Sequence, residues 1–129
     1  VYGPRQLGGS PYSTAITAWT HNAVLGNPLR SDGDGTQTRD LVYVGDVVEA
    51  NILAAKSSNK FAGTPINIAT GCSISNAELI QLFRDEFEYV EVENAPWRPG
   101  DVMHTLADTK RASKMLGFQP KFDINACLR

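Results

Sequence analysis

Two arginines stand beside turns where they could bind an anion. Arg39 follows the glycine-containing turn of SDGDGTQTRD and precedes a short apolar run, and Arg98 lies in the loop APWRPGD. Pro96 and Pro99 stiffen that loop, and Gly100 permits an unusual backbone turn. A guanidinium group can hold a phosphate through two parallel hydrogen bonds. The alternative for each is a surface arginine: Arg39 paired with a neighbouring aspartate, and Arg98 solvated in a tight turn.

Other side chains could recognise a nucleotide. Asp101, in the second of these loops, suits the vicinal hydroxyl groups of a ribose. Trp19 and Tyr12 could form a flat wall for a base, although the helical spacing of Trp19 equally fits a core position. His21 and His104 lie far apart and have no partner one helical turn away, so the sequence predicts no metal site.

The motifs of catalysis and of dinucleotide binding are missing from the sequence. A dinucleotide fingerprint needs spaced glycines after a strand and at the start of a helix. Gly33 and Gly35 are followed by Thr38 where the third glycine would stand, and then by a predicted strand. No tyrosine has a lysine four residues later, and no P-loop, nucleophile-elbow or zinc-protease motif occurs. The sequence therefore predicts binding residues and no catalytic residues.

The composition is that of an ordinary globular domain. The chain has 129 residues, of which 42% are hydrophobic and 20% charged, and its formal net charge is −2. This charge argues against a nucleic acid or a membrane surface as partner. Cys72 and Cys127 are too far apart in sequence to form a metal-spaced pair and are expected to be reduced thiols. Without an apolar run of about 18 residues or a signal-peptide pattern, we expect a cytoplasmic protein.

Helices are predicted from apolar spacing and from the residues at their ends. The first spans residues 13–25 and is ended by glycine. The others are a helix from Asp46 to Lys56, one that starts with a Ser75–Glu78 capping box, one over residues 109–116 capped by Asp108, and a last one capped by Asp123.

Strands are predicted for short runs between these helices. They cover residues 41–44, 66–69 and 89–94, and a further short strand falls within residues 103–108. Their alternation with helices indicates an α/β or α+β class. Residues 66–69 read as a buried strand whose parallel neighbours the chain does not supply. With a first residue that is Val and a last helix that stops early, we expect one incomplete domain over residues 1–129.

In this order, the elements resemble the C-terminal part of an extended short-chain dehydrogenase/reductase. Within that superfamily the sequence is similar to NAD-dependent nucleotide-sugar epimerases of the UDP-glucose/UDP-N-acetylglucosamine 4-epimerase type. The resemblance rests on VYGPRQ, GDGTQTRDLVYVGDVVEANILAA, PINIATG, WRPGDVMHTLADTKRASKMLGFQPKFD and the final LR. It implies an α/β fold: a substrate-binding lobe plus the last strand and helix of a Rossmann-like sheet. The N-terminal part of that sheet, with the cofactor glycines and the Tyr-x-x-x-Lys pair, is then absent.

The resemblance also implies roles for individual residues. Arg39 and Arg98 would bind the two phosphates of a UDP-sugar, and Asp101 would accept the ribose hydroxyl groups. Thr105 matches a position that borders the 2-substituent of the sugar, where a small residue leaves room for an N-acetyl group. The ligand is therefore expected to be a UDP-hexose or a UDP-N-acetylhexosamine. Around the uridine would lie Thr14, Ala15, Trp19, Arg30 and Asp32.

The implied reaction of the longer enzyme is inversion at C4 of the sugar through transient oxidation by NAD. This chain alone is expected to bind no NAD, to be inactive, and to self-associate through apolar surface that the missing half would cover. Two alternatives stay open. One is a stand-alone module that binds nucleotide sugars without turnover, and the other is a piece of a related sugar-nucleotide dehydratase or decarboxylase.

Overall fold

A computed structural model describes residues 1–8 and 13–127, without the side chain of residue 126. Helices alternate with short strands, as the α/β prediction required. In chain order the elements are α1 (Ala15–Leu25), β1 (Leu29–Asp32), β2 (Thr38–Arg39), α2 (Val44–Lys56), β3 (Ile74–Ser75), α3 (Asn76–Glu86), β4 (Val92–Ala95), α4 (Lys110–Leu116) and α5 (Ile124–Cys127). None of the helices described is long and apolar enough to cross a membrane.

The helix ends follow the local signals in the sequence. Thr14 caps α1 by accepting a hydrogen bond from the N–H of Thr17, and Gly26 ends the helix with φ of 70°, in the left-handed region. At the start of α3, Ser75 and Glu78 form the predicted capping box, in which each side chain accepts from the other's backbone N–H. The predicted glycine stop of α1 and the predicted capping box of α3 are confirmed, whereas α1 begins two residues later than predicted because Thr14 is its cap.

The start of α2 differs from the prediction. The helix begins at Val44, so Asp46 lies inside its first turn and does not cap it. The carboxylate of Asp46 is buried and accepts hydrogen bonds from the backbone N–H groups of Lys121 (3.0 Å) and Phe122 (3.3 Å). Asp46 therefore fixes a distant loop against α2, a role that helix spacing alone does not reveal.

Two small sheets are formed in the described part of the chain. Strands β1 and β4 pair in parallel, with Leu29 opposite Val92 and Asp32 opposite Ala95. Strands β2 and β3 pair antiparallel through two residues each. The strand predicted for residues 89–94 is confirmed only in its second half, because β4 begins three residues later and ends one residue later than predicted.

Two other predicted strands are wrong. Residues 41–42 belong to no strand, Tyr43 makes a single parallel bridge to Tyr2, and Val44 already starts α2. Residues 66–69 join neither sheet. An apolar run alone does not make a strand, because a strand also needs a hydrogen-bonding partner. Residues 103–108 are likewise irregular except for one bridge between His104 and Thr38.

The edge of β1 that faces away from β4 is hydrogen-bonded by side chains. Leu29 donates its N–H to the carbonyl that just precedes β4 (2.8 Å), so the carbonyls of Arg30 and Asp32 point to the opposite edge. The indole N–H of Trp19 donates to Arg30 O (2.8 Å), and the side-chain amide of Gln37 donates to Asp32 O (2.6 Å). This fixes α1 and the turn after β1 against the strand.

Two apolar clusters hold the described elements together. In the larger, Trp19 of α1 packs edge-on against Phe83 of α3, with ring centroids 5.8 Å apart, and Leu29 of β1 is completely buried between them. In the smaller, Ala50 of α2 packs with Ala112 and Phe118 around α4. The larger cluster supports the floor of the site described next.

Candidate functional site

A cavity of about 610 Å³ opens between α1, β1 and the loop of residues 96–101. Three aspartates, three arginines and a tryptophan are among its lining side chains. Eight of the nine residues predicted for the site line it, from elements far apart in sequence. They are Thr14, Ala15, Trp19, Arg30, Asp32, Arg39, Arg98 and Asp101.

The N-terminal half of α1 forms one wall of the cavity. Thr14 and Ala15 lie at the start of the helix, and Trp19 follows one turn later. Trp19 combines the two roles that the sequence left open. It is almost fully buried in the core, and it also borders the cavity. Tyr12, the suggested second half of an aromatic wall, lies outside the described residues.

Asp32 joins two of the arginines at the rim. Its Oδ1 lies 2.9 Å from Nε of Arg30, and its Oδ2 lies 2.5 Å from Nη2 of Arg98. The side chain of Asp32 is only 9% exposed, whereas those of the arginines are 58% and 61% exposed. The hydrogen bond and the negative charge of Asp32 raise the pKa of Arg30 above its ordinary value. The guanidinium group of Arg30 therefore stays positively charged beside the cavity.

Arg39 reaches the cavity from β2. Its Nη1 donates to its neighbour Thr38 O (2.9 Å) and to Met103 O (3.3 Å). The adjacent Asp40 forms no ion pair with it, contrary to the surface alternative. Asp40 accepts hydrogen bonds from the backbone N–H groups of Thr70, Gly71 and Ala107 (2.9, 2.9 and 3.3 Å).

Thr105 is the one predicted site residue outside the cavity lining. It is exposed, and its backbone N–H donates to Thr38 O (3.1 Å), which places it beside β2 and one residue beyond the His104 bridge. Asp101 and Arg98 belong to one turn, since the N–H of Asp101 donates to Arg98 O (3.1 Å). Within the described residues, no group of His, Cys, Asp or Glu side chains could hold a metal ion.

The turn that carries Gly33 and Gly35 does not fit a dinucleotide. Both glycines have positive φ (77° and 82°), and the turn leads into the two-residue strand β2, not into a helix N-terminus. Asp34 at its tip accepts hydrogen bonds from the hydroxyl and N–H of Thr36, which lower the pKa of Asp34. A fixed negative charge at this tip would repel a diphosphate.

Some lining residues were missed by sequence reasoning. Gln37 is buried with its amide toward β1, and Asn76 and Leu79 of α3 complete the floor. The capping box in the sequence predicted that α3 begins near Asn76. Only the antiparallel pairing of β2 with β3, however, brings this helix to the cavity. No local signal in the sequence indicates that pairing.

A sequence profile of the NAD dependent epimerase/dehydratase family matches residues 1–69. The chain belongs to this family. It is 34% identical over 124 residues to a UDP-glucose 4-epimerase of Mycolicibacterium smegmatis. The aligned region covers 94% of this chain and 38% of that protein. The epimerase homologues therefore extend well beyond the region that this chain matches.

Solved structures of nucleotide-sugar epimerases share the fold. A UDP-N-acetylglucosamine 4-epimerase from Methanobrevibacter ruminantium, in complex with UDP-N-acetylmuramic acid, superposes with a TM-score of 0.90 at 35% identity over 99% of this chain and 41% of the other. A UDP-glucuronic acid 4-epimerase from Bacillus cereus, in complex with UDP-glucuronic acid and NAD, superposes with a TM-score of 0.89 at 27% identity over 98% and 40%. The chain thus spans about two fifths of these relatives.

Proposed function

We propose that this chain is the UDP-sugar-binding part of a nucleotide-sugar 4-epimerase. The observation that carries the proposal is the cavity that Arg39, Arg98 and Trp19 line together. Arg39 and Arg98 bind the diphosphate, and Asp101 accepts the ribose hydroxyl groups. The start of α1 and strand β1 surround the uridine through Thr14, Ala15, Trp19, Arg30 and Asp32.

Charge supports the role of the arginines. Arg30, Arg39 and Arg98 carry three positive charges at the cavity, which is also lined by three aspartates. Two of these carboxylates are engaged within the protein: Asp32 pairs with Arg30 and Arg98, and Asp40 accepts from backbone N–H groups of residues 70, 71 and 107. A diphosphate brings two or more negative charges, which guanidinium groups bind with charge-assisted, often paired hydrogen bonds. Holding the nucleotide firmly would let the attached sugar be positioned for reaction elsewhere in the longer protein.

In this proposal, the chain by itself has no epimerase activity. The turn at Gly33 and Gly35 does not fit NAD, so the cofactor of the longer protein would be held by residues outside this chain. The relative of about two and a half times this length, and residues 66–69, which join neither sheet, support a division between this part and a Rossmann half. Thr105 remains the proposed determinant of N-acetyl tolerance, acting at the far end of the ligand from α1.

Binding to UDP tests the proposal directly. Titration calorimetry with UDP and with UDP-N-acetylglucosamine should show one site, and Arg98→Ala should weaken UDP by about ten- to a hundredfold, because a hydrogen bond to a charged group is lost. Arg84→Ala, an exposed arginine on α3 away from the cavity, is the matched control and should bind like the wild type. Equal affinities for Arg98→Ala and the wild type would refute the phosphate role.

We also propose that the isolated chain self-associates. On α2, Val48 and Ile52 lie one turn apart on the same face and are 53% and 44% exposed. Neighbouring residues 66–69 offer backbone groups that join no sheet. An apolar helix face beside a segment that joins no sheet favours contact with another chain.

A further inference from the structure

The loop of residues 96–101 is attached to the turn after β1 at two points. Trp97 covers Gly33 so closely that a Cβ atom at position 33 would overlap the indole ring. One residue further, Arg98 pairs with Asp32. The two contacts are adjacent in both segments, so they fix the position and the orientation of the loop. Arg98 therefore stands at the cavity rim on a backbone that is held in place.

The pairing leaves Arg98 able to bind a further anion. A guanidinium group has five N–H donors, and the Asp32 contact uses Nη2. The anchoring end is buried, with Asp32 only 9% exposed, while the side chain of Arg98 is 61% exposed. Asp32 engages Nη2, and no other hydrogen bond of the Arg98 side chain is found among the described residues, so the remaining donors of this largely exposed group are available to a ligand.

The carboxylate of Asp32 also offsets the repulsion between the positive charges of Arg30 and Arg98. Arg30 and Arg98 approach it from its two oxygens at 2.9 and 2.5 Å. Two guanidinium groups this near each other repel, and a negative charge between them offsets the repulsion. Without that charge, the exposed and rotamer-rich side chain of Arg98 would turn away into solvent. The position of Arg98 thus depends on the charge of Asp32.

We propose that Asp32 is a positioning residue that holds Arg98 ready for the phosphate of the ligand. The inference rests on the proposed function, since it assumes that Arg98 binds a phosphate, but it replaces a direct uridine contact of Asp32 by an indirect role. Fixing one long side chain in advance is worth about three- to tenfold in affinity. Asp32→Asn keeps the shape and removes the charge, so it should weaken UDP binding by that factor.

A double-mutant cycle on the 129-residue chain tests the inference. UDP is titrated against wild type, Asp32→Asn, Arg98→Ala and the double variant, with Asp85→Asn on α3 as a charge-matched control that leaves affinity unchanged. The expected result is a loss for Asp32→Asn alone and no additional loss in the Arg98→Ala background. Asp32→Glu, which keeps the charge, should recover part of the affinity. Thermal unfolding of each variant shows whether the fold is retained.

Other results would overturn the inference. Additive losses would mean that Asp32 touches the ligand or acts through the fold, and a gain in affinity would mean that it repels the phosphate. Absence of UDP binding to the folded wild type would instead refute the proposed function itself. If Asp32→Asn does not fold, Trp97→Ala serves as the second variant, because it removes the other contact that anchors the loop. Trp97→Ala should weaken UDP binding at least threefold when Arg98 is present and should cause no further loss in the Arg98→Ala background.

Discussion

The carboxylate of Asp40 receives hydrogen bonds from two segments that are far away in sequence. Its Oδ1 accepts from the N–H and the hydroxyl of Thr70 (2.9 and 2.6 Å), and its Oδ2 accepts from the N–H groups of Gly71 (2.9 Å) and Ala107 (3.3 Å). A carboxylate can accept about four hydrogen bonds, and Asp40 uses that capacity within the protein. Beside Arg39 in sequence, Asp40 therefore organises the loops behind the cavity.

Removing this carboxylate should cost stability. Asp40→Ala leaves several backbone N–H groups without a partner, and we expect the free energy of unfolding to fall by about 2–4 kcal/mol. Asp40→Asn, which keeps one acceptor oxygen, should lose less. Urea unfolding followed by circular dichroism measures both. Asp85→Ala serves as control, because Asp85 is exposed and accepts only from Gln81 among the contacts described. An Asp40→Ala loss no larger than this control would contradict the assigned role.

At the scale of elements, the start of α3 links helix formation to pH. The hydroxyl and N–H of Ser75 both donate to Glu78 Oε2 (2.6 and 2.9 Å). These bonds favour the ionised carboxylate and lower the pKa of Glu78 below its ordinary value of 4.5. The stabilisation is therefore complete above pH 4.5 and is lost as the pH falls through the lower, folded-state pKa.

Replacing Glu78 should flatten this acid response. In the wild type, the urea midpoint should decline between pH 5 and pH 3, whereas Glu78→Gln keeps a capping amide that does not titrate and should decline less over the same interval. The capping-box variant Ser75→Ala removes the donor of the hydroxyl bond and should also reduce the slope. Parallel curves for wild type and Glu78→Gln would show that other groups set the acid sensitivity.

Helices and strands differed in how far the sequence could define them. The C-terminal end of α1 and the start of α3 were predicted correctly because Gly26 and the Ser75–Glu78 box act within one turn of the helix. Residues 41–44 and 66–69 have strand-like composition, but pairing across the chain decides whether a strand forms. For the same reason, the list of cavity residues came from the family resemblance, while their assembly by β1, β4 and the 96–101 loop came from the structure.

At the scale of the whole molecule, the exposed apolar face of α2 should make the isolated chain associate in solution. Sedimentation velocity of the isolated chain should give a weight-average mass that rises above the monomer value with concentration. Ile52→Asp places a charge on the α2 face and should weaken association by about tenfold. Tyr89→Asp, at an exposed apolar position near β4, is the control. A concentration-independent monomer in the wild type would rule out the proposed association.

The side-chain hydrogen bonds along β1 limit the routes by which copies could join. Strand addition needs a row of available carbonyl and N–H groups at a sheet edge. On β1, the carbonyls of Arg30 and Asp32 already accept from the indole of Trp19 and the amide of Gln37. Copies that meet there cannot form a regular ladder without breaking these bonds and uncovering the larger core. The cavity's framework thus also protects the strand against edge-to-edge aggregation, and it directs association toward the α2 face.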